Sequence, residues 1–418
     1  MNTQSSLFLP IPHQLRTKIK LWLISGLTIT FVLLFLVANT QSGPVANAAG
    51  TASFSAGNNA YLLQYDLDRT AVPTLTYNEL TLLINVGDSS DIEVYVDGAS
   101  TNAYTYTAAT GQLMITTTGD DLDIWVNHNG QPTVDFGTIS TSALLGGKEW
   151  AWSHGFDDNT GLGAGIALFE SYGWRGTLFM IGSIIDDTRD ESWIVDRPAL
   201  ERYLEDGWSI GSHSWLTNCS DYNQPAVEQS LDRLETIIAG SNRADYKLIS
   251  FAAPCFVAQY APVVQTIRNE GIYDLQYNES GNRYLFAVDQ GATDYSASGE
   301  TALAFDYNNE IGRDPEISYQ TPNNAISVFD WMAANASPNN HFWYNTFAHG
   351  NTETNLASTL AHVYNNYGPA GSDEAWVAPS DHIYSYMLVR DNTAVTTVEI
   401  APLPAGTCLL YTSDAADD

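Results

Sequence analysis

From Gly146 onward the chain alternates strand-like and helix-like segments, and no other feature limits its possible folds as strongly. Strands are expected at Glu149–Phe156, Gly176–Ile181, Ser209–His213, Lys247–Ala253, Ile272–Tyr277 and Phe342–Ala348. Helices are expected at Gly161–Tyr172, Ala199–Glu205, Ala261–Asn269, Ala325–Ala334 and Leu356–Asn366. A further helix starts near Pro225, carries Val227, Leu231, Leu234, Ile237 and Ile238 on one stripe, and ends at Gly240. Alternation of this kind specifies an α/β fold with a parallel sheet, open or closed into a barrel. Ser280 to Asn323 breaks the rhythm; polar and rich in Gly and Asn, it is expected to be an insertion over one face of the sheet.

Upstream the periodicity is two rather than 3.6. Ile92, Val94 and Val96, then Leu113 and Ile115, then Leu122, Ile124 and Val126 alternate with polar residues between turn clusters such as Asp97-Gly98 and Gly119-Asp120. Residues 51–140 therefore read as a small all-β, sandwich-like domain, either a spacer or a carbohydrate-binding module. Arg16, Lys18 and Lys20, the apolar run Leu21–Ala38 and Ala46-Asn47-Ala48 have the order of a signal peptide, residues 1–48, cleaved after Ala48. The alternative is an uncleaved membrane anchor. Either way the remainder is exported, secreted or held at the cell surface. Residues 391–407 read as the start of a truncated C-terminal region, and 408–418 (CLLYTSDAADD) resemble a translated transposase-type sequencing adapter. A formal net charge of −32 makes nucleic acid and anionic membrane poor partners. Membrane association is expected only if the signal segment stays uncleaved, and the sequence is silent on oligomeric state.

In parallel α/β folds reactive groups collect at the carboxyl ends of strands. Four expected strands end in polar or special residues: Asp157-Asp158, His213-Ser214, Pro254-Cys255 and His349-Gly350. Two carboxylates and two histidines on one rim would bind a divalent metal and leave a base and an acid free. Taken singly, each has a structural explanation: an Asp as the N-cap of the next helix, a His buried against backbone.

The ordered segments EWAWSHGFDD (149–158), GTLFM (176–180), DGWSIGSHS (206–214) and TFAHG (346–350), with WVA (376–378) and IYSY (383–386), resemble polysaccharide deacetylases of the NodB homology type over about residues 146–390. The resemblance implies a distorted (β/α) barrel and hydrolysis of N- or O-acetyl groups on a polysaccharide. It implies Asp157 as general base, Asp158 and His213 as ligands of a divalent ion, zinc by preference, and His349 as general acid. Two departures stand out. The family places a second His where this chain has Thr217, so Thr217 or Asn218 is left to complete the metal site. The family's third motif carries an Arg that orients the base; here the motif reads Ala252-Ala253-Pro254-Cys255, with the Cys255 backbone N–H beside Pro254 left to serve an oxyanion. Cys219 and Cys255 follow the rim motifs of neighbouring strands and are expected to form a disulfide. Against the hydrolase stands a catalytically impaired barrel acting as a glycan-binding or surface-attachment protein.

Overall fold

The computed structural model describes residues 51–53, 59–130, 137–185, 195–216, 223–254, 263–277, 284–309, 311–315, 322–349, 353–400 and 408–410. The signal segment, Thr217, Asn218, Cys219 and Cys255 lie outside the described residues.

Period-two alternation produces the strands of the first region: β1 (Thr51–Ser53), β2 (Asn59–Leu67), β3 (Glu79–Asn85), β4 (Ile92–Val96), β5 (Ala99–Thr101), β6 (Tyr104–Thr107), β7 (Gln112–Thr118), β8 (Asp121–His128) and β9 (Ile139–Thr141). β2 to β9 form a four-stranded sheet, β6-β7-β3-β9, and part of a five-stranded one. Leu63 and Leu67 of β2, Leu82 and Ile84 of β3, Ile115 of β7 and Val126 of β8 meet in one apolar cluster, because alternate side chains of each strand point the same way.

The second region runs β10 (Trp150–Asp157), α1 (Gly163–Ser171), β11 (Thr177–Met180), α2 (Arg197–Glu205), β12 (Ser209–Ser212), α3 (Gln224–Gly240), β13 (Ser250–Ala252), α4 (Val264–Asn269) and β14 (Asp274–Tyr277). The α2 and α3 starts are capped by Asp196 and Asn223, whose side chains accept from Ala199 N and Ala226 N, with Pro in the first turn of each. Strands β10 to β14 pair in parallel and in sequence order. All eight residues of β10 are buried, as a strand covered on both faces requires.

The stretch expected as an insertion is instead part of the sheet. It forms β15 (Leu285–Ala287), β16 (Tyr295–Ala297), β17 (Glu300–Ala304), β18 (Ile311–Gly312) and β19 (Asp314–Pro315), followed by α5 (Pro322–Asn335), β20 (Phe342–Ala348), α6 (Glu353–Asn366), β21 (Ala375–Val377) and α7 (Ser380–Asp391). β20 pairs with β10 in parallel over seven residues. The segment 311–315 pairs with β14 through β18 and with β20 through β19, so the hydrogen-bonded path from β20 through β10 to β14 returns to its start. These strands are two to five residues long and lack a readable alternation, which is why their composition suggested a loop.

A second departure lies at residues 391–407. Thr393–Ile400 form β22, antiparallel to β2 in continuous register, completing the sheet β22-β2-β8-β4-β5. The chain leaves the first region, builds the ring and returns. Trp343, Trp376, Ile383, Tyr386 and Val389 share the apolar cluster of β2, β3, β7 and β8, so the two regions are joined by one core. Thr51–Ser53 also pair with β23 (Cys408–Leu410), which lies in the adapter-like segment.

Along β10 the two faces differ. Trp150, Trp152 and Phe156 join the apolar cluster under the helices. Ser153 and Asp157 look into the ring, where Ser153 Oγ donates to Asn345 Oδ1 at 2.7 Å. Deeper in, Asp274 Oδ2 accepts from Ser250 Oγ at 2.6 Å and Ser380 Oγ at 2.8 Å, and Gln276 Nε2 donates to Asp274 Oδ1 at 2.9 Å. Burial outweighs these bonds and pushes the Asp274 carboxyl up to about 6. The folded value lies above the unfolded one, so the contribution to stability is full below about pH 4 and is lost as pH rises through about 6. Asp274→Asn, which cannot ionise, is expected to match the wild type near pH 4 and exceed it by about 3 kcal/mol at pH 7, read from urea unfolding across that range.

Candidate active site

The ends of β10, β12 and β20 carry Asp157-Asp158, His213 and His349, and the ring closure sets them on one rim. Neither aspartate caps α1: the N-cap there is Leu162, without a side-chain bond. Asp158 and Ser214 both hold positive φ, 65° and 64°, turning the chain sharply out of β10 and away from His213. Non-glycine residues in this region carry strain that surrounding structure must hold. Here Ser230 Oγ donates to Ser214 O at 2.9 Å, and Asn159 Oδ1 accepts from Ile181 N at 2.7 Å, tying the rim loops to α3 and β11.

Asp157 is fixed by a residue that the sequence did not reveal. Arg313, between β18 and β19, donates from Nη1 to Asp157 Oδ1 at 2.6 Å and from Nη2 to Oδ2 at 2.9 Å. The two side chains are 1% and 2% exposed. The guanidinium lies over the Phe347 ring, 4.2 Å from its centroid, with Phe179 at 5.2 Å. With Ala at position 252, the guanidinium that orients Asp157 comes instead from the segment between β18 and β19. Ala252 still contributes, because its carbonyl oxygen lies 2.8 Å from His213 Nδ1.

Gly155 and Gly211, in the 149–158 and 206–214 segments, are there for space. A Cβ on Gly155 would lie 2.8 Å from the Phe179 ring, and one on Gly211 2.4 Å from it. Both would displace the ring that covers Arg313.

Burial alone would raise the Asp157 carboxyl, but Arg313, then His213 and His349, outweigh it and hold the group below the ordinary carboxylate value. With Nδ1 engaged by the Ala252 carbonyl, His213 turns Nε2 towards Asp158 Oδ1 at 3.7 Å and Asp157 Oδ2 at 3.9 Å. These gaps are too long for hydrogen bonds, and a carbonyl-anchored imidazole facing a carboxylate is the donor arrangement that a divalent ion uses. His213 and Asp158 therefore fit one side of a metal site. Among the described residues no group of three or more His, Cys, Asp or Glu is arranged to hold an ion. The remaining candidates, Thr217 and Asn218, fall outside them, as do Cys255 and the Cys219–Cys255 pair, while Pro254 is buried at the end of β13. His349 is half-buried, with Phe347 edge-on at 5.6 Å.

Residues 149–271 match the family model for polysaccharide deacetylase. No curated protein matches the sequence. Among solved structures, a CE4 esterase of Streptococcus mutans is 14% identical, over 55% of this chain and 85% of its own, with a TM-score of 0.35. The peptidoglycan deacetylase PdaC of Bacillus subtilis is 11% identical over 56% and 89%, TM-score 0.31. A CE4 family pseudoenzyme of Bacillus anthracis is 12% identical over 56% and 65%, TM-score 0.33.

Removing the guanidinium leaves a carboxylate buried without a partner. Arg313→Ala is expected to cost about 3–5 kcal/mol in urea unfolding at pH 7. In the wild type the depressed Asp157 value means that its contribution is present above the unfolded carboxylate pKa and lost as pH falls through the folded value. In the variant burial is no longer outweighed, so its deficit should shrink as the solution is acidified. A deficit independent of pH would show that Arg313 acts only by filling space.

Proposed function

We propose that the polysaccharide deacetylase domain matched at residues 149–271 works, together with the ring-closing strands and β20, as an exported metal-dependent carbohydrate deacetylase. The observation that carries this reading is a carboxylate held ionised at the rim by Arg313, with His213, Asp158 and His349 around it. The closed path of strands supports reading the second region as a distorted (β/α) barrel, and the two sheets before it as a sandwich-like domain.

Each residue then has a chemical task. Asp157 accepts a proton from the water that attacks the acetyl carbonyl. A low basicity is tolerable because the carboxylate is already ionised and oriented: Arg313 occupies one lone pair on each oxygen and leaves the others for the rim. His213 and Asp158 would hold a divalent ion, zinc by preference, which when bound supplies Lewis-acid polarisation of the acetyl group. As the carbon–nitrogen or carbon–oxygen bond breaks, His349 gives a proton to the departing amine or alkoxide, and acetate leaves. After Arg313 and His213, His349 adds to the charges that keep the Asp157 carboxylate ionised.

Thr217, where the family carries a second histidine, favours the alternative of a catalytically impaired barrel that binds glycan or attaches to a surface. Acetate release from N- and O-acetylated polysaccharides, with and without chelator, separates the two. Asp157→Asn and His349→Ala are each expected to lower turnover by about two to four orders of magnitude. His349→Ala should fold as the wild type does, whereas Asp157→Asn should also lose about 3–5 kcal/mol of stability, because it leaves the buried Arg313 without its counter-charge. Asp158→Ala and His213→Ala should lower turnover and metal content together. Wild-type protein that binds glycan but releases no acetate from any of them would establish the binding reading.

A further inference from the structure

At the opposite end of β10 and β20 a cleft of about 880 Å³ separates the outer face of the four-stranded sheet from the base of the ring. Glu149 immediately precedes β10 and His341 immediately precedes β20, so the cleft lies roughly 25 Å from Asp157 at about 3.3 Å per residue. Asp289 Oδ1 lies 2.6 Å from His341 Nδ1, and Asp289 Oδ2 accepts from the His341 backbone N at 2.7 Å. A proton on Nδ1 is therefore directed to Asp289, and in that tautomer Nε2 is an acceptor. That nitrogen faces Glu149 Oε2 at 3.9 Å, an oxygen that is buried and has no hydrogen-bond partner.

Two acceptors aimed at one point repel each other unless a donor stands between them. A 3.9 Å gap is too long for a direct bond but is spanned by one nitrogen about 2.8–3.0 Å from each. The cleft also holds Arg390, but that cation is already engaged by Asp391 at 2.6 Å and the Ala143 carbonyl at 2.5 Å. The charge left to be matched is negative. A divalent ion would find too few ligands: both Asp289 oxygens are committed to His341, and the rest of the lining mixes apolar residues such as Leu83 and Met114 with hydroxyl and amide groups such as Thr105, Ser140 and Gln290. Those hydroxyl and amide groups suit a polyhydroxylated chain, and the volume is that of a ligand rather than a bare ion.

We propose that this cleft binds a primary ammonium group carried on a sugar chain, seated between Glu149 Oε2 and His341 Nε2 with the sugar hydroxyls against the four-stranded sheet. The ammonium follows from the two acceptors; the sugar as its carrier rests on the deacetylase reading, which generates free amines on a polysaccharide. The cleft would keep hold of chain already deacetylated while the rim acts elsewhere.

Calorimetric titration of the full chain with short glucosamine oligomers, and separately with N-acetylglucosamine oligomers of the same length, tests the site. The amine form is expected to bind at least about tenfold more tightly, less so at high salt. Glu149→Gln should weaken it about tenfold or more, and Ser140→Trp should block it by filling the cleft; both variants should keep acetate release from a short soluble substrate. Equal binding of the two oligomers, or Glu149→Gln binding as the wild type does, overturns the proposal. So does a divalent ion retained by Asp158→Ala but lost in Glu149→Gln, which would make this a metal site. Amine binding without acetate release would leave the cleft standing and sink the deacetylase reading, and the reverse result would do the opposite.

Discussion

A guanidinium and a carboxylate, both almost wholly out of water, set the terms for the rest of the ring. Either ion alone would cost several kcal/mol to bury, so Arg313 and Asp157 hold only as a bidentate pair. Arg313 sits on the segment that closes the ring between β14 and β20, and Asp157 ends the strand on the other side of β20. Closing the sheet and fixing the carboxylate are therefore one event. Phe179 and Phe347 flank the guanidinium, and Gly155 and Gly211 exist to admit Phe179. A side chain at either glycine would move the ring before it touched anything reactive.

Below that pair the inside of the ring is polar in a way that its helix-facing side is not. Ser153, Asn345, Gln276, Asp274 and Ser380 are linked by side-chain bonds, with a carboxyl whose value is raised by burial. Such a network is tolerable because its members are bonded to one another, and it holds the ring in a single register. The same strand that supplies Ser153 sends Trp150 and Trp152 into the apolar layer under the helices. One eight-residue strand thus anchors the core, the polar interior, the rim and, through Glu149, the cleft at the base.

The first region is more than a leading module. β22 returns to it after the last helix, and its apolar cluster runs on into Trp343, Trp376 and Tyr386. A body built this way leaves a cleft between sheet and ring in fixed geometry. The chain's large negative charge is the background field for both ends, favouring a cationic partner over an anionic one.

Strand and helix alternation, the Pro225 start and Gly240 end of α3, and the polar residues at strand ends were legible because local periodicity and helix-end chemistry act over a few neighbouring residues. β20 matched its expected bounds and the other long elements lay within a few residues of theirs, since each has an apolar pattern long enough to read. Asp157, Asp158, His213 and His349 were legible as polar residues at strand ends, alongside Pro254 and Cys255, and were singled out from these by the family resemblance. Arg313 was not, because nothing near it in the chain indicates that a guanidinium 156 residues from Asp157 will be its partner. The short strands of residues 285–315 and the return of β22 were hidden for the same reason: two to five residues carry too little pattern, and pairing between distant segments is decided by the sheet that they complete. What the sequence determined by itself was which segments fold locally and which residue types could do chemistry. Only the tertiary structure decided which charge stabilises the carboxylate, because burying that charge is favourable only where a distant strand brings its partner.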